Sequence, residues 1–443
     1  MPLKKSVCFI LVIVFFSLFV PLIVFSQNNS NAMDSSGRQA TLTKDTSSVV
    51  QDTSQTGKIT GTTKQSLYPM SPERKAKLIS YSRFNNIWRI VDFLVGIGIL
   101  CLILFTGLSA KLRDWAQVAH KKFFVVWFYL ILFLSVNYIF NFPFDFYRNF
   151  IVENQYGFNH LTFWGWWKEN LLGLVLTMII GIIPLWFLYR LMEKLKRWWL
   201  WFSLGAIPFL VFFIVIAPVV ISPLFNKFEP LKDKQLEQVI LKEANKAGIE
   251  GAHIFQVNAS KQSSKVNAYV TGLLGTKRIV LYDNLIDNFT TDEIRFVLGH
   301  EMGHYVMNHV WKGLLAAILF ILFALWLTNK TIYPVINRFK TRFKFNQLSD
   351  IASLPLIILY FTIISFIFDP ITNGLSRHFE HQADMFGMNI SGVSGEVAAK
   401  AFDKLSVYNL ADPDPNPIIE FWFYDHPALK KRMEFVRHYH PTK

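Results

Sequence analysis

The chain has 443 residues, of which 52% are hydrophobic, 43 are Phe and only 17% are charged, with a net charge of +14. A water-soluble protein cannot cover that much apolar surface, so the composition excludes an ordinary soluble domain and points to a lipid bilayer as partner. The Lys and Arg sit largely in short loops beside apolar runs, with no RNA- or DNA-binding signature, so a positive-inside bias explains the charge and no nucleic-acid partner is expected.

Lys4 and Lys5 precede an apolar run at residues 7–25, and Ser26 supplies a small residue before Gln27. This is the layout of a secretory signal peptide, and the run is also long enough to stay attached as a first membrane helix. Either way Gln27 leaves the cytoplasm if the two lysines remain inside. Residues 27–70 are rich in Ser, Thr, Gln and Asn and have few large apolar side chains, so a disordered linker is expected. Six apolar runs of near-spanning length follow, at 90–108, 123–142, 171–189, 198–221, 313–328 and 351–368. Pro184, Pro208, Pro218 and Pro355 within them predict kinks.

The loops between these runs divide by charge. Lys111, Arg113, Lys121 and Lys122 lie in one, Arg190, Lys194, Lys196 and Arg197 in a second, and Lys330, Arg338, Lys340, Arg342 and Lys344 in a third. All three fall on one side, expected to be cytoplasmic, which puts 222–311 and 369–443 on the other. The cluster Arg74, Lys75, Lys77 and Arg83 runs against this count. The two cysteines, Cys8 and Cys101, lie in apolar segments and offer neither a disulfide framework nor a thiolate metal site.

Between the fourth and fifth runs the pattern turns globular. Residues 233–247 read as an amphipathic helix stopped by Gly248. Strands are predicted at 253–258, 266–271 and 278–282, the last two joined through Gly272 and Gly275 as a hairpin. Thr290 and Glu293 form a capping box that opens the next helix. Asp412-Pro413-Asp414-Pro415-Asn416-Pro417 must be loop. The predicted fold is therefore mostly α. It is a polytopic membrane bundle of six to seven helices with an α+β domain split around the last two. Its parts are a signal peptide or first helix at 1–26, a linker at 27–70, a four-helix region at 71–222, domain parts at 223–312 and 371–443, and two membrane helices at 313–370.

The helix opened by that capping box contains His300-Glu301-Met302-Gly303-His304. This is H-E-x-x-H. Positions i and i+4 share a helix face, so both imidazoles can bind one Zn²⁺ while Glu301 reaches a water on it as general base. A catalytic zinc needs a third protein ligand and an open position. A third His at metzincin spacing would fall at Val310, which excludes that subclass. The segment Ser376-Arg377-His378-Phe379-Glu380-His381-Gln382-Ala383-Asp384 follows the sixth run and places Glu380 and Asp384 on one helix face. Glu380 is the expected third ligand and Asp384 the expected acceptor for a ligand imidazole N–H. An ion pair of Glu380 with Arg377 is the bland alternative, and His378 and His381 are rival ligands. His309 lies off the His300–His304 face and reads as a surface or interfacial histidine. A membrane scaffold or transporter with a vestigial or structural metal site is the rival function, but a structural zinc takes four protein ligands and needs no adjacent base.

Further patches accompany the motif: Val152-Glu153-Asn154-Gln155-Tyr156-Gly157-Phe158-Asn159, Pro223-Leu224-Phe225-Asn226-Lys227-Phe228, Ser263-Ser264-Lys265-Val266-Asn267-Ala268-Tyr269, Lys277-Arg278-Ile279-Val280-Leu281-Tyr282-Asp283 and Asp425-His426-Pro427. With Glu380 through Asp384, they make the chain from about Tyr81 onward resemble the type I CAAX prenyl endopeptidases. These are integral-membrane, gluzincin-type zinc metallopeptidases related to bacterial heat-shock membrane metallopeptidases. The resemblance implies one Zn²⁺ per chain, a peptide or protein substrate and an intramembrane chamber with the zinc site at one end. It also implies that Asn267 holds substrate backbone and that His426 stabilises the oxyanion. Without it, Asn267 reads as a strand-end or turn residue and His426 as a turn residue before Pro427.

Two features depart from the family pattern. Seven spanning helices are reached only if residues 7–25 stay attached, and the Ser/Thr-rich linker is foreign to it. Eukaryotic relatives also cleave on the cytosolic side, whereas the charge count here places the site on the periplasmic side of a bacterial inner membrane, with a cytoplasmic site as the alternative. The expected substrate is then a membrane-associated, lipidated or misfolded protein. The sequence carries no sign of an oligomeric state.

Overall fold

The computed structural model describes residues 71–272 and 277–440, so the apolar run at 7–25, the linker and Gly275 lie outside the described residues. Four long helices come first: α1 (Pro72–Phe105), α2 (Lys122–Phe146), α3 (Phe163–Lys194) and α4 (Trp198–Ile216). α2 runs on through a π-turn at Tyr147–Val152, and α4 through another at Ala217–Ile221 that contains Pro218. A small α+β unit follows, then two more long helices and three short ones. Among the described residues six helices are long and apolar enough to cross a membrane; five contain one of the runs read in the sequence, and the first covers 90–105 of its run at 90–108. They overshoot those runs because only the middle of each helix has to match hydrocarbon. Leu94, Ile139, Ile179, Ile183, Phe212, Leu315, Leu319 and Ile367 are exposed along these helices, an arrangement stable in lipid and not in water.

Pro184 and Pro208 stand inside α3 and α4, as do Pro143 in α2 and two further prolines in later helices. Pro355 does not interrupt a helix: it lies in the first turn of the last long one, where its missing N–H has no intrahelical partner to lose. The basic loops meet at one end of the bundle. Arg113 Nη1 lies 2.5 Å from Asp350 Oδ2 and donates to the Lys344 carbonyl, while Lys122 and Arg190 share Glu193. At the other end Arg74 donates to the Val407 carbonyl.

The α+β unit begins with β1 (Phe228–Pro230), a short strand the residue pattern did not predict. α5 (Lys234–Lys246) follows, capped by Asp233, which accepts from the Gln235 and Leu236 amides; Gly248 at φ +76° ends it. Strands β2 (His253–Val257), β3 (Ala268–Thr271) and β4 (Arg278–Tyr282) complete a sheet of order β1-β2-β4-β3. β3 and β4 pair antiparallel, with Ala268 opposite Leu281, whereas β2 and β4 are parallel. β3 is therefore an edge strand.

α6 (Thr291–Val306) opens on the Thr290–Glu293 capping box and carries H-E-x-x-H. Asn308, at φ 58°, turns the chain into α7 (His309–Phe343), and α8 (Leu354–Ser391) is one continuous helix. Glu380 and Asp384 therefore do not follow the sixth membrane run on a separate segment; they lie on the same helix. α9 (Gly395–Tyr408), α10 (Pro417–Phe423) and α11 (Leu429–His438) close the chain. One buried cluster fills the membrane bundle, and a second joins α5, the sheet, α6, α9 and the end of α8.

α6 and α8 approach through small residues. A Cβ on Gly387 would sit 3.0 Å from the His300 amide nitrogen, one on Gly299 2.7 Å from Ile390 Cγ2, and one on Gly303 3.2 Å from Ala383 Cα. Gly299-x-x-x-Gly303 and Ala383-x-x-x-Gly387 are thus facing small-residue pairs of the kind that lets helix backbones touch. Gly387→Val is expected to destabilise the protein by about 1–3 kcal/mol and to lower its zinc content. Gly374→Ala, whose added carbon would meet only Arg377 Nη2 at 3.7 Å, is the control. Thermal unfolding and metal analysis of both variants check this; equal behaviour would contradict the packing argument.

Candidate zinc-binding active site

His300 and His304 lie one turn apart on α6, with ring centroids 4.8 Å apart. Glu380 comes to them from α8: its Oε2 is 3.3 Å from His300 Nε2, its Oε1 is 3.2 Å from His304 Nε2, and the two Nε2 atoms are 3.1 Å apart. A tetrahedral ion with bonds of about 2.0–2.1 Å sets its ligand atoms about 3.3–3.4 Å from one another. The three distances, taken to the two different oxygens of Glu380, all lie near that separation, so the imidazole nitrogens and the carboxylate are close enough to share one ion. Glu380 is only 2% exposed, and its Oε2 is a buried oxygen without a hydrogen-bond partner among the described residues, as expected of an atom that faces a cation. The donor set of two imidazoles and one carboxylate suits zinc. Arg377 does not compete for Glu380, because it donates to the carbonyls of Glu420 and Tyr424. The rival ligands lie elsewhere, His378 beside the Phe379 ring and His381 against the Phe435 ring.

The far sides of the ligand rings are held as well. His300 Nδ1 is 2.9 Å from Asp384 Oδ1. Arg432 on α11 grips the same carboxylate with two bonds, Nη2 to Oδ1 at 2.6 Å and Nε to Oδ2 at 2.9 Å, and its Nη2 lies 3.3 Å from Glu380 Oε2. On the other imidazole, His304 Nδ1 is 3.0 Å from His309 Nδ1, and His309 Nε2 is 3.0 Å from Gln382 Oε1. If His304 meets the metal through Nε2, one proton order follows: His304 Nδ1–H donates to His309, whose Nε2–H donates to Gln382. His309 is buried rather than superficial, which corrects the sequence expectation. The left-handed turn at Asn308 starts a new helix, so the helical-wheel argument that placed His309 off the face no longer applies.

The remaining expected residues line one cavity of about 270 Å³ with His300: Glu301, Asn267 and His426. Asn267 precedes edge strand β3, and its carbonyl accepts from the Tyr282 amide on β4. His426 Nε2 lies 3.1 Å from Glu380 Oε1, and its Nδ1 lies 3.0 Å from Asp425 Oδ1. Burial opposes a charge on His426, but the Glu380 and Asp425 carboxylates outweigh it and push its pKa up to about 10. Burial raises the Glu301 carboxyl, partly offset by His300 and His304. For His300, burial is again opposed by Glu380 and Asp384, and its pKa rises to about 9.

Two histidines and a glutamate placed where they could hold one metal ion, shared between α6 and a helix long and apolar enough to cross a membrane, are the arrangement of an integral-membrane zinc metalloprotease. Residues 230–440 match the model of peptidase family M48, and residues 63–227 match that of the CAAX prenyl protease N-terminal region, described as five membrane helices; α1–α4 fall in that stretch. The uncharacterized metalloprotease YhfN of Bacillus subtilis is 32% identical over 368 residues, covering 82% of this chain and 86% of its own length. CAAX prenyl protease 1 of Saccharomyces cerevisiae is 30% identical over 375 residues, covering 81% of this chain and 79% of its own. The crystal structure of S. mikatae Ste24p superposes with a TM-score of 0.72 at 25% identity, covering 84% of this chain and 92% of that one. The chain belongs to peptidase family M48, in its CAAX prenyl protease branch.

Arg432 and His309 are the site residues that sequence reasoning missed. One is a lone arginine in a basic helix, and the other depends on a chain reversal that no short pattern announces. Because the metal-free His300 holds a proton up to about pH 9, zinc uptake at neutral pH must displace it. Calorimetric titration with zinc in buffers of different ionisation enthalpy is expected to show proton release, with affinity rising as pH rises toward 9. A buffer-independent enthalpy would contradict the protonated site. In the metal-free protein the same raised value stabilises the fold below pH 6.5, and that contribution is lost as pH climbs through about 9.

Proposed function

We propose that the protein is an endopeptidase in which His300, His304 and Glu380 hold a single Zn²⁺ and Glu301 is the general base. Zinc, when bound there, supplies an acidified water and polarises the scissile carbonyl. Glu301 takes a proton from the attacking water and delivers it to the leaving amine. His426, its Nδ1 held by Asp425, donates a hydrogen bond to the carbonyl oxygen as negative charge develops on it. Asn267, at the start of the edge strand, holds substrate backbone, and Asp384 fixes the His300 ring through Nδ1–H. The observation that carries this reading is the convergence of Glu301, Asn267 and His426 on the cavity that His300 lines.

In this reading the chain divides into a four-helix membrane region at 71–222 and a peptidase domain at 223–312 and 371–443, wrapped around the membrane helices at 313–370. Its substrate is a membrane-associated protein, lipidated or misfolded. The yeast relative's name points to prenylated CAAX proteins, and a lipidated chain end is the corresponding candidate here. The site faces the periplasm of a bacterial inner membrane. The support is the meeting of Arg113, Lys122, Arg190 and Lys344 at the end of the bundle away from the zinc ligands.

Glu301→Gln is expected to keep its zinc and lose about 10²–10⁴-fold in peptide cleavage. Full activity of the purified variant would refute the general-base role. Glu380→Gln should lose zinc, and an unchanged stoichiometry would refute its role as third ligand. For topology, protease added to intact spheroplasts should clip the C-terminal tail; clipping only after permeabilisation would place the site in the cytoplasm.

A further inference from the structure

Four side chains share one stripe of α8. Asn373, Arg377, Glu380 and Asp384 stand at intervals of four, three and four residues. At about 100° per residue they fall within about 60° of one another around the helix. Glu380 and Asp384 turn toward His300 and His304. Asn373 and Arg377 reach instead for the end of α10, the seven-residue helix Pro417–Phe423. Arg377 Nη1 donates to the Glu420 carbonyl at 3.1 Å and to the Tyr424 carbonyl at 2.5 Å, and Asn373 Nδ2 donates to the Trp422 carbonyl at 2.6 Å. From α1, Arg89 donates to the Phe423 carbonyl.

Carbonyls in the last turn of a helix have no partner within it, and two turns of helix do not hold together in isolation. α10 is therefore placed by the side chains that take up its carbonyls, and a cation at that end is also favoured by the helix dipole. The turn that follows α10 carries His426. Tyr424, whose carbonyl Arg377 holds, stands two residues before it. On the other side the Glu420 carboxylate accepts from the Ala428 amide at 3.0 Å and meets Lys431 Nζ at 2.6 Å. The turn is thus tied at both ends, and His426 Nε2 comes to 3.1 Å from Glu380 Oε1.

We propose that Arg377, with Asn373 one turn before it, is a positioning residue that sets where His426 stands relative to the metal ligands. This rests on the role given to His426 in the peptidase reading above. One face of α8 then sets both Glu380 and, through α10, the donor for the developing oxyanion. That donor works only if it lies where the carbonyl oxygen will be, and a displacement of about 1 Å costs on the order of 10²-fold. Arg377 acts through the Tyr424 carbonyl and touches neither substrate nor metal. A lysine keeps the charge without the fixed fork, so it replaces the tie in part.

The test follows one peptide, chosen from a mixed-sequence library by the native enzyme, with the zinc-loaded full chain in detergent. His426→Ala should lower kcat by about 10²–10³-fold, as loss of an oxyanion donor does. Arg377→Gln should lower kcat by about tenfold or more with KM and zinc content unchanged, and Arg377→Lys should restore part of the loss. Asn373→Ala should show a smaller loss of the same kind. In the His426→Ala background, Arg377→Gln should cost less than about twofold further, because the residue it positions is gone. An equal fold-loss in both backgrounds overturns the proposal and marks a merely structural role, and so does an Arg377→Gln enzyme that loses its zinc. If Arg377→Gln does not fold, Asn373→Ala takes its place in the same cycle. A His426→Ala enzyme of full activity overturns the role of His426 and this proposal together. A native enzyme that cleaves no member of the library overturns the peptidase reading itself.

Discussion

The whole site depends on how closely α6 and α8 approach. Glycines on both helices keep the backbones close, so a Cβ on residue 387 would come within 3.0 Å of the His300 amide nitrogen. Only at that separation can a carboxylate as short as Glu380 meet both imidazole nitrogens while Asp384, one turn on, meets the back of His300. The same glycines carry an entropic cost in a helix. Here it is offset by contact between the two helices and by the metal that the contact makes possible. Because α8 is also long and apolar enough to cross a membrane, one continuous helix joins Glu380 to the bundle without a flexible junction.

Around that contact is a dense set of buried charges. Glu380 and Asp384 are 2% and 1% exposed, and neither could stay ionised there alone. His300, His304, His426 and Arg432 surround them, so each carboxylate has a positive or metal-binding neighbour. Such networks add little net stability compared with an apolar core, but they hold each member in one orientation. Orientation is what a ligand set requires. The His309–Gln382 chain does for His304 what Asp384 does for His300, with uncharged groups in place of a carboxylate.

Much of this could be read from residue order, and the failures are instructive. H-E-x-x-H, the capping box and the four-residue spacing of Glu380 and Asp384 are local consequences of one helical period, and they survived folding unchanged. The membrane runs were legible because lipid imposes a simple compositional rule. What escaped depends on chain reversal or on partners far apart in sequence. Arg432 reaches Asp384 across 48 residues, and His309 returns to His304 only because Asn308 adopts a left-handed conformation. β1 is too short to show a period, and Pro355 looked like a kink because the true start of α8 was not visible. The facing small-residue pairs were in plain sight, but Gly299-x-x-x-Gly303 overlaps the zinc motif, and the louder pattern hid the quieter one.

The central claim is that two helices, one of them a membrane span, deliver two imidazoles and one carboxylate to a zinc ion that keeps a position open for water. X-ray absorption at the zinc edge on the purified, detergent-solubilised protein tests it most directly. The account predicts one zinc per chain, with two imidazoles and oxygen donors in its coordination sphere and a signal altered by a small zinc-binding inhibitor. A zinc bound by three or more imidazoles, or one closed by four protein ligands and indifferent to the inhibitor, would contradict it.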